Sequence, residues 1–127
     1  MRSETAKTFG SYLKDLRLKR GIGLREFAKL INMKPSNFSN IESGRAAPPA
    51  NVEALGVICD TLGLGKGSDE WARLFDLAAN DQKRIPADVA KSIKQFEGIP
   101  VLVRTIANKK LSEKQLRELT RYIQDNF

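Results

Sequence analysis

The chain has 127 residues, with 22 Lys and Arg against 15 Asp and Glu, no His and one Cys, giving a formal net charge of +7. A hydrophobic fraction of 41% with 29% charged residues is ordinary globular composition, enough for one domain or a small domain with an appendage. One Cys excludes an internal disulfide, and without His there is no imidazole base and no Ser/His or Cys/His pair, so most enzyme classes fall away and no cofactor is expected. No apolar run approaches the ~20 residues that span a bilayer. The first twenty residues carry charges throughout (Arg2, Glu4, Lys7, Lys14, Asp15). The expectation is therefore a soluble, cytoplasmic chain with no signal peptide and no membrane partner.

Apolar residues recur at three- and four-residue spacing nearly everywhere, which predicts an all-α protein. A first helix is predicted over 8–20, burying Phe9, Leu13 and Leu16 and stopped by Gly21. A second covers 24–31 with Phe27, Ala28 and Ile31 inward. A third covers 35–43, with Pro35 at its first position, Phe38 and Ile41 inward, and Gly44 at its end. After a turn at 46–49, Val52, Leu55, Ile58, Cys59 and Leu62 mark one face of a fourth helix, which the glycine-rich segment 63–67 breaks. Ser68 caps a fifth, with Asp69 and Glu70 in its first turn and Trp71, Leu74, Phe75 and Ala78 inward.

Composition shifts at 80–86, the best candidate for a joint between lobes, so the domain reading is 1–80 followed by a helical extension over 81–127. Two or three helices are predicted there, over 87–96, 101–107 and 112–124. Ser112 and Gln115 have the spacing of a capping box and make the last start the clearest.

Charge is uneven along the chain. Residues 1–48 hold 10 basic and 4 acidic side chains, 49–80 hold 2 and 5, and 81–127 hold 10 and 6. A basic front segment favours a polyanionic partner, because cations placed on phosphates release condensed counterions. The same segment contains two short helices separated by a turn at 32–34, with small Ala28 where they cross and apolar Met33 at the corner. That is helix-turn-helix spacing. Phe38 and Ile41 hold the second helix down, leaving Pro35, Ser36, Asn37 and Asn40 outward beside Lys29, Lys34 and Arg45. Short amides and hydroxyls on an exposed helix suit the edges of bases in a major groove.

Residues 12–21 (YLKDLRLKRG), 22–28 (IGLREFA) and 35–44 (PSNFSNIESG) resemble the lambda-repressor-like helix-turn-helix regulators of bacteria and phages, over about residues 9–64. The resemblance implies a five-helix DNA-binding domain whose third helix enters the major groove. It places base contacts on Pro35, Ser36 and Asn40, with Asn37 and Lys34 at the groove edge. Phosphate contacts fall on Lys34, Ser43 and Arg45. Leu24 stands where the family commonly has Gln, so Arg25 is assigned the phosphate contact of that helix start. The family pairs an Arg of helix one with the Glu ending helix three, which implies a structural pair of Arg17 and Glu42.

Other motifs are set aside. The segment 63–68 lacks the first glycine of a phosphate loop, where Asp60 stands instead. Cys59 reads as a small core residue, and Trp71 and Phe75 as core anchors among acidic neighbours. In the extension, Ile99, Leu102, Val103, Ile106, Leu111, Leu116, Leu119 and Ile123 exceed what two short helices bury against each other; Leu102, Ile106, Leu116, Leu119 and Ile123 are expected at a dimer or partner interface, the alternative being packing back on helices four and five. The reading is a dimeric, double-stranded-DNA-binding transcriptional regulator, a repressor on a pseudo-palindromic operator. The alternatives on the same fold are an antitoxin that autoregulates its operon and binds a toxin or other protein partner, or an RNA- or protein-binding module.

Overall fold

Thr8 starts the first helix by exchanging bonds with Ser11. The Thr8 hydroxyl accepts the Ser11 N–H at 3.2 Å, and the Ser11 hydroxyl accepts the Thr8 N–H at 3.0 Å. Two amides that a helix start leaves unpaired are thereby satisfied. The computed structural model describes residues 8–127; Arg2, Glu4 and Lys7 of the basic front segment lie outside the described residues. The helices are α1 (Phe9–Lys19), α2 (Leu24–Leu30), α3 (Pro35–Ser43), α4 (Val52–Thr61), α5 (Asp69–Asp81), α6 (Ala87–Ile93), α7 (Gly98–Lys109) and α8 (Glu113–Asn126). Among the described residues there is no strand, and no helix is long and apolar enough to cross a membrane.

The chain divides into two compact units, one ending at Ala90 and the other spanning Lys91–Phe127. In the first, α1 packs on α3 and α5, α2 on α3, and α4 on α5. Phe9, Phe27 and Phe38 are fully buried and Phe75 is 1% exposed, with Leu13, Leu55, Ile58, Leu62 and Leu74 around them. Each of these side chains contributes about 1.5–3 kcal/mol by leaving water. Tyr12 is also buried, its ring 5.3 Å from the Arg73 guanidinium carbon. Three residues expected inward are less covered than the rest, and Trp71, half-buried against the core, is one of them. Ile31, just past the end of α2, is half-buried against the core, and Val52, the first residue of α4, is 41% exposed.

Gly10 sets how closely α1 approaches α3. A Cβ at this position would lie 2.4 Å from the Glu42 carbonyl oxygen and 2.5 Å from that of Ile41. Both neighbours are backbone, so only the absence of a side chain permits this crossing.

The segment expected as a joint begins inside α5, which continues through Asp81. Two of its polar side chains are bonded to distant backbone. Asp81 Oδ2 accepts the Phe9 N–H at 3.2 Å, and Gln82 Nε2 donates to the Pro48 carbonyl at 3.0 Å. The helix then ends through Lys83 at φ 57°, with the Arg84 N–H bonded to the Ala79 carbonyl at 2.8 Å.

The predicted helix over 87–96 ends at Ile93, where bonds from Gln95 to Ser92 and from Phe96 to Ile93 tighten the chain. The helix predicted over 101–107 starts earlier, at Gly98. Pro100 lies in its first turn, where a missing N–H forfeits no helical bond. In α8 the capping box is present: Ser112 Oγ accepts the Gln115 N–H at 3.2 Å and Gln115 Oε1 accepts the Ser112 N–H at 2.9 Å. No described residue of α7 or α8 is buried; Ile99, Ile106, Leu116 and Leu119 on these helices, and Leu111 between them, are half-buried.

Candidate nucleic-acid interface

The corner between α2 and α3 is built from three residues. Ile31 ends α2, Asn32 takes φ 59°, and the Met33 N–H bonds back to the Ala28 carbonyl at 2.8 Å. Asn tolerates the left-handed conformation better than most residues, and the returning amide satisfies a carbonyl that the helix end would leave unpaired. Met33 is half-buried against the core, and the rings of Phe27 and Phe38 lie 5.0 Å apart across the two helices. The helix pair is thus fixed from beneath.

Pro35 opens α3 at its first position, where the missing N–H costs nothing, and Lys34 precedes it without a side-chain cap. Burying Phe38 and Ile41 turns Ser36, Asn40 and Ser43 outward as one stripe, with Asn37 beside it. Ser36, Asn37, Lys34 and Ser43 are exposed, whereas Pro35 and Asn40 are half-buried. The chain after α3 returns to Asn40, whose carbonyl accepts the Ala46 N–H at 3.0 Å. The same carbonyl accepts the Ser43 hydroxyl at 3.2 Å. That commits the one proton of Ser43, so donation to a phosphate requires its hydroxyl to turn.

Gly44 ends α3 with φ 85°, a conformation that costs glycine least, and its N–H bonds to the Ile41 carbonyl at 3.2 Å. Arg45 follows at once and is exposed, as are Arg25 and Lys29 on α2. None of Arg25, Lys34 and Arg45 pairs with a carboxylate among the described residues. These cations therefore face solvent undiluted.

Arg17 stands apart from them. It is 5% exposed, and its guanidinium grips Glu42 through two bonds, Nε to Oε2 at 2.7 Å and Nη2 to Oε1 at 2.9 Å. Its Nη1 donates to the Ile22 carbonyl at 2.9 Å. The bonded carboxylate raises the Arg17 pKa further, against the opposing effect of burial. This one side chain ties α1 to the end of α3 and to the turn before α2. The positive charge of Arg17 is spent inside the fold.

The site therefore gathers Ser36, Asn37 and Asn40 on α3, Lys34 at its start and Arg45 just past its end, over a buried Arg17–Glu42 pair. Sequence reasoning missed Gly10 and Gln82, because each acts through a contact with backbone far along the chain. It also missed the third bond of Arg17, to Ile22.

A family model described as a helix-turn-helix domain matches residues 8–73, just over half of the chain. No curated protein matches. Among solved structures the chain is similar to two of the clp gene regulator ClgR from Corynebacterium glutamicum. One is 29% identical with a TM-score of 0.43, covering 57% of this chain and 84% of that one. The other is 26% identical with a TM-score of 0.45, covering 77% and 85%.

Proposed function

We propose that this chain, which belongs to the helix-turn-helix domain family, is a sequence-specific regulator of transcription that binds double-stranded DNA as a dimer and represses by occluding a promoter. The observation that carries the reading is the outward polar stripe of α3, flanked by cations without a carboxylate partner and pinned from below by Phe38, Ile41 and the Arg17–Glu42 pair. A rigid helix with short polar groups is what direct readout of bases needs.

In this account α3 lies in the major groove. The Asn40 amide pairs bidentately with an adenine, Ser36 and Asn37 bond neighbouring base edges, and Pro35 contributes apolar contact to a thymine methyl. Arg25, Lys34, Ser43 and Arg45 meet phosphates and set the register of the helix. The proposed domain type is lambda-repressor-like, a reading supported by the core that α1 to α5 share.

Dimerisation is assigned to the second unit. Its helices bury no residue of their own, and the unit is shorter than the ~40 residues below which a fold needs outside help. Leu102 and Ile123 are 44% and 45% exposed, and Ile106, Leu116 and Leu119 are half-buried. A second copy covering these side chains makes a twofold dimer able to present two α3 helices ~34 Å apart on one face of the duplex.

The test pairs solution mass with gel shift on duplex DNA from the protein's own promoter region and on stem-loop RNA of equal length. A homodimer that shifts the duplex alone agrees with the proposal. Preference for RNA contradicts it, and a stable heteromeric complex in place of the homodimer points to the antitoxin reading.

A further inference from the structure

The loop that carries Arg45 faces an open groove on its inner side. The groove, of about 410 Å³, separates the loop from the start of α1 and is bounded by Gly10, Ala46, Ala47, Pro48 and Asp81. Two hydrogen bonds fix the ends of the stretch between Arg45 and Pro48. At one end the Ala46 N–H reaches the Asn40 carbonyl at 3.0 Å; at the other, Gln82 Nε2 reaches the Pro48 carbonyl at 3.0 Å.

Gln82 is well placed to act as a fixed post. It caps α5, and its own N–H bonds to the Ala79 carbonyl at 3.2 Å. The residue before it, Asp81, is tied to α1 through the Phe9 N–H. The residue after it turns the chain at φ 57° and lets Arg84 close back on Ala79. An exposed arginine on a loop loses affinity if the loop must be ordered at the moment of binding, and a loop held beforehand avoids that loss.

We propose that Gln82 is a positioning residue for DNA binding. From the end of α5 it clamps the Pro48 carbonyl and so holds Arg45 where the backbone phosphate arrives. The inference rests on the DNA-binding reading above and assigns Gln82 no contact with DNA.

Gln82→Met keeps the length of the side chain, removes the donor and leaves the net charge unchanged, so any loss of affinity is not electrostatic. Two measurements on the full chain test it. In amide hydrogen exchange without DNA, the Ala46 N–H exchanges about tenfold faster in the variant while Leu13 and Leu16 stay at the wild-type rate. In a double-mutant cycle with Arg45→Ala on duplex DNA, Gln82→Met weakens binding about fivefold in the wild-type background, the equivalent of one neutral hydrogen bond. It has almost no effect once Arg45 is gone.

Unchanged exchange at Ala46, equal acceleration at the core amides, or additive losses in the cycle each overturn the proposal. An Arg45→Ala variant that binds as well as wild type defeats the phosphate-contact reading itself, and the positioning role falls with it.

Discussion

Replacing Glu42 with Gln preserves the shape of the buried pair and removes its charge. The Arg17 and Glu42 side chains are 6% and 5% exposed, and Nε meets Oε2 at 2.7 Å. A Gln side chain accepts one of the two guanidinium bonds but sets its own NH₂ against the other N–H, donor facing donor. The Arg17 charge then stays buried with half a partner. Breaking such a pair from one side costs about 3–5 kcal/mol, against a typical domain stability of about 5–15 kcal/mol. For a domain of this size that lowers the melting temperature by roughly 15–30 °C. Urea unfolding followed by far-UV circular dichroism and by fluorescence of Trp71, which packs half-buried on the core, reads the loss. The double variant Arg17→Met with Glu42→Leu removes both charges together and recovers to within about 1–2 kcal/mol of wild type. The remaining deficit is the Ile22 carbonyl, which loses its bond from Nη1. A single-variant loss below about 1 kcal/mol, or a double variant no better than the single, refutes the claim that the pair is a desolvated charge clamp.

Gly10→Ala forces backbone against backbone, with the new Cβ 2.4 Å from the Glu42 carbonyl oxygen. Thermal unfolding is expected to show a loss of about 1–3 kcal/mol, and an unchanged midpoint contradicts the assigned close crossing of α1 and α3. Burial, followed by the charges of Asp60 and Asp88, pushes the Cys59 thiol up from 9.0 to about 11. Iodoacetamide at pH 8 should therefore leave the folded protein unlabelled and label it in urea, and rapid labelling of the folded form refutes the buried position. Because the folded value lies above the unfolded one, Cys59's contribution to stability is complete below about pH 9 and is lost as pH rises toward 11. Urea midpoints of wild type and Cys59→Ala across that range measure this, and parallel pH profiles contradict it.

Local chemistry made many helix ends legible in both units. Pro35, Gly44, Ser68 and Ser112 mark helix ends through constraints that act within a few residues, and the structure places ends at each. The spacing of Phe38 and Ile41 likewise identifies which side of α3 faces outward. Long-range contacts were illegible. Gly10 is one glycine in a helical pattern until α3 crosses it, and Gln82 is one residue of a polar stretch until its amide reaches Pro48. Polar composition at 80–86 does not reveal these bonds, because a side chain bonded to distant backbone has the same composition as one bonded to water. Pro100 misplaced the start of α7 for a related reason: proline breaks a helix interior but not a first turn. The opening charge of +7 also divides, since Arg17 serves the core while Arg25, Lys34 and Arg45 face solvent.

In the proposed complex the outward face of α3 reads base sequence while Arg45 meets phosphate. Selection of bound sites from randomised duplex DNA, run in parallel on wild type, Asn40→Ala and Arg45→Ala with affinities taken across a salt series, tests it most directly. The expected outcome is a twofold-symmetric consensus for wild type, relaxed preference at one position per half-site for Asn40→Ala, and an unchanged consensus for Arg45→Ala. Arg45→Ala is further expected to flatten the plot of log affinity against log salt by about 0.9 for each phosphate that the arginine neutralises in the wild type. An unchanged consensus for Asn40→Ala together with an unchanged salt slope for Arg45→Ala contradicts the proposed complex.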